Sequence, residues 1–304
     1  MHTADALRAA SERNILRPDS LGLGPNMKKC VRALMRLVVG IGLSITAFTT
    51  TIAGGNAETA DGKPALVDFH SGELDLKGFL WKPAGDGPFP AILWNHGSEK
   101  RPGAADPVAQ FFVARGYVFF VPHRRGQGRS PGPYIMDQLK TARSAGERSR
   151  MLVKLHETQF RDQLAALTYL KGRPFVDQQR LAVMGFSFGG IQTMLAVERG
   201  AGYRVAVNCS GAAETWEHAP DLRRRLSAAA RNATMPVFFL QARNDYDLAP
   251  NRILSEQVKA SGKPTESKVY PAFGAGAQGG HSFCMKGVSV WGPDVTRFIE
   301  AYSK

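Results

Sequence analysis

Short runs of apolar residues alternate with segments of helical period along the chain. The strand-like runs are nearly continuous in apolar residues and rich in Val and Phe, whereas Phe160, Leu164 and Leu167 recur at the spacing of one helix face. The predicted strands, some running on into a loop, fall within 73–83, 90–98, 114–128, 180–190, 204–211, 236–242 and 267–272. The predicted helices fall within 156–174, 191–200, 251–262 and 293–304, the last with Pro293 in its first turn.

Nearly continuous apolar strands separated by helices are typical of a parallel sheet that is covered on both faces. The chain has 304 residues, of which 43% are hydrophobic, enough for one large buried core. No internal repeat and no low-complexity linker divides residues 58–304, so we predict a single α/β domain there. In such sheets, functional side chains gather in the loops beyond the carboxyl ends of the strands.

The N-terminal part of the chain has the composition of an export signal. From Met27, a basic start is followed by the apolar run LVVGIGLSITAF and then by small residues. This run is shorter than the roughly 20 residues of a membrane span. We therefore predict a signal peptide over 27–57, cleaved after Ala53 or Ala57, preceded by an extension over 1–26. The mature protein is expected in the periplasm or the medium without a stable membrane anchor; an uncleaved anchor is the alternative.

Basic residues outnumber acidic ones, which gives a formal net charge of +13. A basic balance can favour nucleic acid. Here the charge is spread along the chain apart from a short cluster at 223–225, and no nucleic-acid-binding signature accompanies it. We expect a basic, soluble protein whose partner is a small molecule and not a nucleic acid. The oligomeric state stays open.

Two of the three cysteines fall within the predicted domain. Cys30 lies in the predicted signal peptide, whereas Cys209 and Cys284 would reach an oxidising compartment, where a disulfide can persist. A disulfide and two buried thiols are equally compatible with the sequence. No closely spaced Cys or His pairs indicate a metal site, so neither a metal nor another cofactor is predicted.

A serine sits between glycines where a strand is predicted to turn into a helix. The stretch 185–189 reads Gly-Phe-Ser-Phe-Gly and follows the strand residues LAVM. A sharp strand-to-helix turn projects a serine oxygen beyond the sheet, and small flanking residues let neighbouring backbones pass closely. A glycine-rich turn with a bystander serine is the alternative. The strand before it, the helix after it and Gly190 favour Ser187 as a nucleophile.

A nucleophilic serine needs a base and an acid that orients the base. His281 follows the last predicted strand, in a glycine-rich stretch expected to be a flexible loop; a solvated loop histidine is the alternative. Asp245 and Asp247 both follow the strand at 236–242. Asp245 is nearer the end of that strand and is preferred as the acid, whereas Asp247 could instead cap the next helix.

Backbone N–H groups near the serine are candidates for stabilising a negatively charged oxygen. We predict the N–H of Phe188, directly after the serine, and the N–H of Ser98, in the NHGS loop at 95–98. An ordinary glycine turn is the alternative for that loop. His96 is expected to orient the loop. Trp216 could line a substrate pocket or belong to the core of a cap segment.

With these motifs placed, the chain resembles the dienelactone hydrolase branch of the α/β hydrolases, which borders the prolyl-oligopeptidase catalytic domain. The matching residues are NHGS at 95–98, HRRGQGRS at 123–130, GFSFGG at 185–190, ARND at 242–245 and GHSF at 280–283, within 66–304. The resemblance implies the α/β-hydrolase fold, with helices on both faces of a mostly parallel sheet. It also implies Ser187, Asp245 and His281 as a catalytic triad.

The resemblance implies hydrolysis of a carboxylic ester through an acyl-enzyme. Dienelactone hydrolases typically carry cysteine as nucleophile, so the serine at 187 points to a general carboxylesterase. A serine peptidase, an acyltransferase and a thioesterase would use the same three residues. A non-catalytic binding protein on the same scaffold is a further alternative, since a fold does not fix a function.

Overall fold

An eight-stranded sheet organises residues 63–303, the part of the chain that the computed structural model describes. The strands are β1 (Ala65–Ser71), β2 (Leu74–Trp81), β3 (Phe89–Asn95), β4 (Val118–Pro122), β5 (Val176–Phe186), β6 (Val205–Cys209), β7 (Val237–Ala242) and β8 (Thr265–Tyr270). The helices are α1 (Asp106–Val113), α2 (Ile135–Leu139), α3 (Ala145–Lys171), α4 (Phe188–Arg199), α5 (Pro220–Arg231), α6 (Ala249–Ala260), α7 (Gly276–His281), α8 (Phe283–Lys286) and α9 (Val288–Tyr302).

The sheet is antiparallel at one edge and parallel elsewhere. Its strands lie in the order β1-β2-β4-β3-β5-β6-β7-β8. The β1–β2 and β2–β4 pairs are antiparallel, and all other pairs are parallel. The predicted mostly parallel sheet is therefore confirmed. Because the parallel strands share one direction, the carboxyl ends of β3, β5, β6 and β7 meet at one edge of the sheet.

Both faces of the central strands β3, β4, β6 and β7 are largely buried, which explains why these strands read as nearly continuous apolar runs. On β3, Leu93 packs into a core with residues of α3, α4, α5 and α6. Its neighbours Ile92 and Trp94 pack into a second core with α1 and α9 on the opposite face. This alternation follows from the two-residue period of a strand.

Several elements differ from the sequence-based expectation, and helices α1, α2, α5, α7 and α8 were not predicted at all. The edge strand β1 was not predicted, although its buried and exposed positions alternate as in a half-buried strand. Helix α3 begins earlier than predicted, at Ala145, where the Ser144 hydroxyl accepts a hydrogen bond from the Glu147 N–H and caps the helix. The prediction that Pro293 lies in the first turn of the last helix is wrong. Helix α9 begins at Val288, anchored by the buried Trp291, and Pro293 lies inside it.

The predicted extension over 1–26 and the predicted signal peptide over 27–57 lie outside the described residues, as does the proposed domain start at 58. The first described strand begins at Ala65. Within residues 63–303, no helix combines the length and the apolar composition that a membrane span requires.

Candidate active site

Ser187 occupies the turn between β5 and α4. Its φ of 56° and ψ of −117° are rare for a residue other than glycine, and such strained backbone concentrates at functional sites. Two sets of hydrogen bonds hold this conformation. The Ser187 N–H donates to the carbonyl of Cys209 on β6 at 3.0 Å, and the Ser187 carbonyl accepts from the N–H groups of Gly190 and Ile191 at 2.9 and 3.2 Å.

The glycines around Ser187 are required by the close approach of neighbouring backbone. A Cβ atom at Gly185 would lie 2.1 Å from the Gly189 carbonyl oxygen, and one at Gly189 would lie 1.8 Å from the Asn95 carbonyl oxygen. The loop after β3 therefore rests directly on the first turn of α4. Any larger side chain at Gly189 would force the two apart.

His281 and Asp245 meet at the same edge of the sheet. His281 is 4% exposed, and its Nδ1 lies 2.8 Å from Asp245 Oδ1. The imidazole packs against the rings of Phe186, beside Ser187, and Tyr246, with centroids 4.9 and 5.3 Å apart. Within residues 63–303, the buried Nε2 of His281 has no hydrogen-bond partner, and Ser187 Oγ is not bonded to it.

The expectation that His281 lies in a flexible loop is wrong, because His281 is the last residue of the short helix α7. Its glycines serve close packing: a Cβ at Gly280 would lie 2.5 Å from the carbonyl carbon of Asn244. The Asn244 amide also donates to the carbonyls of Phe273 and Gly276, at 3.1 and 2.8 Å, and accepts from the Phe273 N–H at 2.9 Å. Asn244 thus positions the segment that carries His281, a role that its sequence neighbourhood did not reveal.

The two candidate acids contact different partners. Asp245 is 8% exposed. Besides its contact with His281, its carboxylate accepts hydrogen bonds from the N–H of the next residue, Tyr246, at 2.7 Å and from Gln241 Nε2 at 3.0 Å. Asp247 Oδ1 instead accepts from the Ala249 N–H at 2.7 Å, at the start of α6. The structure therefore brings Asp245 to the histidine and leaves Asp247 at a helix end.

The two predicted N–H donors lie on neighbouring segments. Phe188 is the first residue of α4, where N–H groups have no partner within the helix. Ser98 is the last residue of the loop whose Asn95 and His96 carbonyl oxygens lie against Gly189. Neither the Phe188 N–H nor the Ser98 N–H has an acceptor among residues 63–303. Both groups are therefore available to an anion near the start of α4, where the helix dipole also favours negative charge.

His96 belongs to this loop and is buried. Burial first, and then the positive charge of Arg124, hold the pKa of His96 well below its ordinary value, so the ring is neutral. Its Nδ1 lies 3.0 Å from the Gly97 carbonyl oxygen, and its Nε2 lies 3.4 Å from the Arg124 backbone nitrogen. Arg124 Nη2 also lies 3.1 Å from His96 Nδ1. With a proton on Nδ1 the ring donates to the Gly97 carbonyl, and without it Nδ1 accepts from Arg124 Nη2.

A disulfide joins the strand beside Ser187 to the segment after His281. Cys209 ends β6 and is bonded to Cys284 in α8, and both residues are buried. Of the two possibilities that the sequence left open, the structure therefore contains the disulfide. Cys209 is thus connected both to the nucleophile turn, through its carbonyl, and to the helical segment that follows His281.

Trp216 is buried and lines a cleft of about 490 Å³. The cleft lies between α5 and α6, and neither Ser187 nor His281 lines it. A contact between Trp216 and a substrate therefore stays a prediction. Among the described residues 63–303, no group of three or more His, Cys, Asp or Glu is arranged to hold a metal ion.

The strand order, the strand–serine–helix turn and the position of His281 after the last strand define the α/β-hydrolase fold. The profile of the dienelactone hydrolase family matches residues 77–291, and the chain belongs to this family. The resemblance stated from its motifs is confirmed, and the protein is a hydrolase.

Similar proteins include peptidases and esterases. The chain is 26% identical over 235 residues to the uncharacterized peptidase YtmA of Bacillus subtilis, covering 68% of this chain and 84% of that protein. The acylaminoacyl peptidase of Pyrococcus horikoshii matches with a TM-score of 0.58 and 19% identity, over 77% of this chain and 41% of its own. The Pyrococcus furiosus esterase Pf2001 matches with a TM-score of 0.58 and 17% identity, over 80% and 91%. The chain thus spans about two fifths of the solved peptidase and nine tenths of the esterase.

Proposed function

We propose that the protein is a serine hydrolase that cleaves carboxylic esters through an acyl-enzyme. The observation that carries the proposal is the pairing of His281 with Asp245 at 2.8 Å beside a serine on a strained strand-to-helix turn. These are the three groups that acyl transfer to serine requires, in the chain order of the α/β hydrolases.

In the proposed reaction, His281 Nε2 removes the proton from Ser187 Oγ as that oxygen attacks the ester carbonyl carbon. The resulting oxyanion accepts hydrogen bonds from the N–H groups of Phe188 and Ser98. The C–O bond to the alcohol then breaks, and the proton on His281 passes to the leaving oxygen. A water molecule, deprotonated by His281, attacks the acyl-enzyme and releases the carboxylic acid with Ser187 restored.

The surroundings of Asp245 suit its proposed role as the orienting acid. Two donors besides His281, the Tyr246 N–H and Gln241 Nε2, fix the carboxylate in one orientation. A fixed carboxylate selects the imidazole tautomer with its proton on Nδ1 and leaves Nε2 free to act as base. The ring packing of Phe186 and Tyr246 restricts the imidazole further.

Peptide hydrolysis is the second candidate function. It is favoured by the similarity to YtmA, which is named a peptidase. Ester hydrolysis is favoured by the match to a solved esterase over 91% of that protein's length. An acyltransferase or thioesterase would use the same groups and differ only in the acceptor or the leaving group.

The deciding experiment compares the wild type with Ser187→Ala on p-nitrophenyl esters from acetate to palmitate and on peptidyl p-nitroanilides. We expect ester hydrolysis by the wild type only, with labelling of Ser187 by a fluorophosphonate. A fully active Ser187→Ala variant would overturn the proposed nucleophile, and turnover of anilides alone would favour a peptidase. The absence of both turnover and labelling would favour a non-catalytic binding protein. Product analysis with competing alcohols and thiols identifies acyl transfer.

We also propose that the protein is exported. The buried disulfide between Cys209 and Cys284 accords with an oxidising compartment, and the segment from Met27 has the three parts of a signal peptide. N-terminal sequencing of the protein recovered from periplasm and medium is expected to begin after Ala53 or Ala57. Recovery of the intact N-terminus in the cytoplasmic fraction contradicts export.

A further inference from the structure

Three side-chain nitrogen atoms lie within hydrogen-bond distance of the Gly97 carbonyl oxygen. Arg124 Nη2 lies 2.7 Å from it, the neighbouring His96 Nδ1 lies 3.0 Å away, and Gln127 Nε2 lies 3.3 Å away. This carbonyl belongs to the peptide group whose nitrogen is that of Ser98. Because that peptide is trans, its N–H points opposite to its C=O. Arg124 and Gln127, which donate to this carbonyl whichever tautomer His96 adopts, therefore fix the direction of the Ser98 N–H.

The segment that follows β4 and carries Arg124 and Gln127 also donates hydrogen bonds to the next three carbonyls of the loop. The Ser98 carbonyl accepts from Tyr134 Oη at 2.5 Å, the Glu99 carbonyl from Gln127 Nε2 at 2.8 Å, and the Lys100 carbonyl from the Gly128 N–H at 2.8 Å. Four consecutive carbonyls, from 97 to 100, are thus bonded by residues between 124 and 134. The loop that carries the Ser98 N–H is fixed in place residue by residue.

Arg124, like Gln127, is almost fully buried. It is 2% exposed, and no carboxylate within residues 63–303 forms an ion pair with it. The next residue, Arg125, forms the ion pair with Asp162 instead, at 2.6 Å. Burial lowers the pKa of Arg124 to about 10, and the more distant charges of Glu99 and Asp162 oppose this shift. Arg124 is therefore a buried cation at neutral pH.

Burying a cation without a carboxylate partner lowers the stability of the folded protein, so the presence of Arg124 here calls for an explanation. At this position the guanidinium has a direct electrostatic consequence. A hydrogen bond from a charged donor to the Gly97 oxygen polarises the whole peptide group and makes the Ser98 N–H a stronger donor. The positive charge of Arg124 also attracts an anion that binds at the Ser98 N–H, on the other side of the same peptide group.

We propose that Arg124 is the positioning residue of the oxyanion hole: through the Gly97 carbonyl it aims and polarises the Ser98 N–H, and Gln127 assists it. This inference rests on the proposed serine hydrolase function. It assigns a role in transition-state stabilisation to a side chain that touches neither the nucleophile nor the base. Arg124 acts through one peptide group, so its effect should appear when the substrate carbonyl becomes an oxyanion.

The test compares Arg124→Gln and Arg124→Lys with the wild type and with Arg125→Gln as a matched control. Arg125→Gln removes the adjacent arginine and its ion pair with Asp162, and it leaves the Gly97 carbonyl untouched. Each variant is assayed for kcat and KM on p-nitrophenyl acetate, for inhibition by a trifluoromethyl ketone that adds to Ser187, and for thermal unfolding. The ketone adduct carries an oxyanion in the same hole, so its Ki reports the hole separately from ground-state binding.

For Arg124→Gln we expect kcat to fall by about 10- to 100-fold with little change in KM, less than the 10²- to 10³-fold loss of a direct oxyanion donor. The Ki of the ketone should rise by the same factor. Arg124→Lys keeps the charge and should lose less. Arg125→Gln should unfold at a lower temperature but keep kcat and Ki within roughly twofold of the wild type.

The outcomes separate this inference from the proposed function. If the wild type is active and Arg124→Gln has the same kcat and Ki as Arg125→Gln, the positioning role is overturned and the proposed function stands. A wild type that hydrolyses no ester and takes no fluorophosphonate label overturns both. If Arg124→Gln does not fold, Arg124→Lys decides: an unchanged kcat and Ki in that variant overturns the role, and an equal change in both supports it.

Discussion

Asp245 and Asp247 lie two residues apart after β7, yet their carboxylates bond to different parts of the molecule. Asp245 Oδ1 lies 2.8 Å from His281 Nδ1, whereas Asp247 Oδ1 accepts the Ala249 N–H at 2.7 Å. The side-chain amide of Gln241 bridges the two positions, since it donates to Asp245 Oδ2 and to the Asp247 carbonyl. A turn of this kind separates a proposed catalytic group from a structural one within a single loop.

Substitution of these two aspartates should therefore produce opposite effects. We expect Asp245→Asn to lower kcat by about 10⁴-fold, because an amide selects the wrong imidazole tautomer and does not stabilise the imidazolium. Asp247→Ala should keep kcat and lower the free energy of unfolding by about 1 kcal/mol, the typical net contribution of one hydrogen bond, because the Ala249 N–H loses its acceptor. Ester kinetics and urea unfolding measure the two effects. Equal kinetic losses in both variants would contradict the assignment of the acid.

Gly189 offers a test of the contact between the loop after β3 and helix α4. In Gly189→Ala, the new Cβ would lie 1.8 Å from the Asn95 carbonyl oxygen, so the loop must move. We expect kcat to fall by at least about 10²-fold, as for a displacement of roughly 1 Å in a catalytic group, and stability to fall by about 1–3 kcal/mol.

The matched control for Gly189 is Gly146→Ala in the first turn of α3. A Cβ there would meet only Arg150 Nη1, at an ordinary 3.5 Å. Because alanine is the better helix former, this variant should be as stable as the wild type or up to about 1 kcal/mol more stable, with unchanged kcat. A Gly189→Ala variant that behaves like Gly146→Ala would show that the loop contact is dispensable.

The disulfide should contribute to stability more than to catalysis. It joins residues 75 positions apart, so its removal frees a long loop in the unfolded chain. We expect the double variant Cys209→Ala, Cys284→Ala to lose about 2–5 kcal/mol of unfolding free energy. Urea unfolding of this variant and of the oxidised wild type provides the measurement. Coincident unfolding curves for the two proteins would rule out a stabilising role.

His156 should make the protein sensitive to acid. Burial, with a smaller contribution from the charge of Arg124, lowers the pKa of His156 to about 3, and in the unfolded chain a histidine titrates near its ordinary 6.5. Between these values the unfolded chain binds a proton that the folded chain does not. Stability therefore falls as pH drops below about 6.5, by about 1.4 kcal/mol per pH unit for this group.

A variant isolates this contribution. His156→Gln removes the group while His96 and His123 remain, so the difference between the two stability curves belongs to His156 alone. We expect the curve of the variant to be shallower by about one proton between pH 6 and pH 4. Guanidinium unfolding at a series of pH values provides both curves. Parallel curves over that range would contradict a neutral buried His156.

Much of the fold follows from local patterns in the sequence. The two-sided burial of β3 and β5 leaves continuous apolar runs, and the glycines around Ser187 occur where backbone segments touch. Helix α5 was not predicted: Leu222 and Leu226 are buried one turn apart, but three arginines occupy the second turn of the helix. Strand β1 is harder to detect because the exposed Leu66 blurs its alternation of apolar and polar positions, and because it lies at the sheet edge and pairs only with β2.

The rest of the site depends on contacts between distant segments. The sequence shows Arg124 only as a basic residue after a strand, and its role becomes visible when the Gly97 carbonyl lies 2.7 Å away. Likewise, the glycines before His281 suggest a flexible loop, but in the structure Gly280 packs directly against the backbone of Asn244. Periodicity reports which face of an element is buried, but it does not report which loops meet.

The bond between Cys209 and Cys284 also closes a covalent ring that contains β7, Asp245, α6, β8 and His281, with Ser187 outside it. A single protease cut inside this ring, for instance at the turn around Gly262, leaves both fragments attached to each other. The proposed base therefore stays linked to the strand beside the nucleophile after such a cut. A nicked molecule would run at full length on a non-reducing gel and separate into two pieces only after reduction.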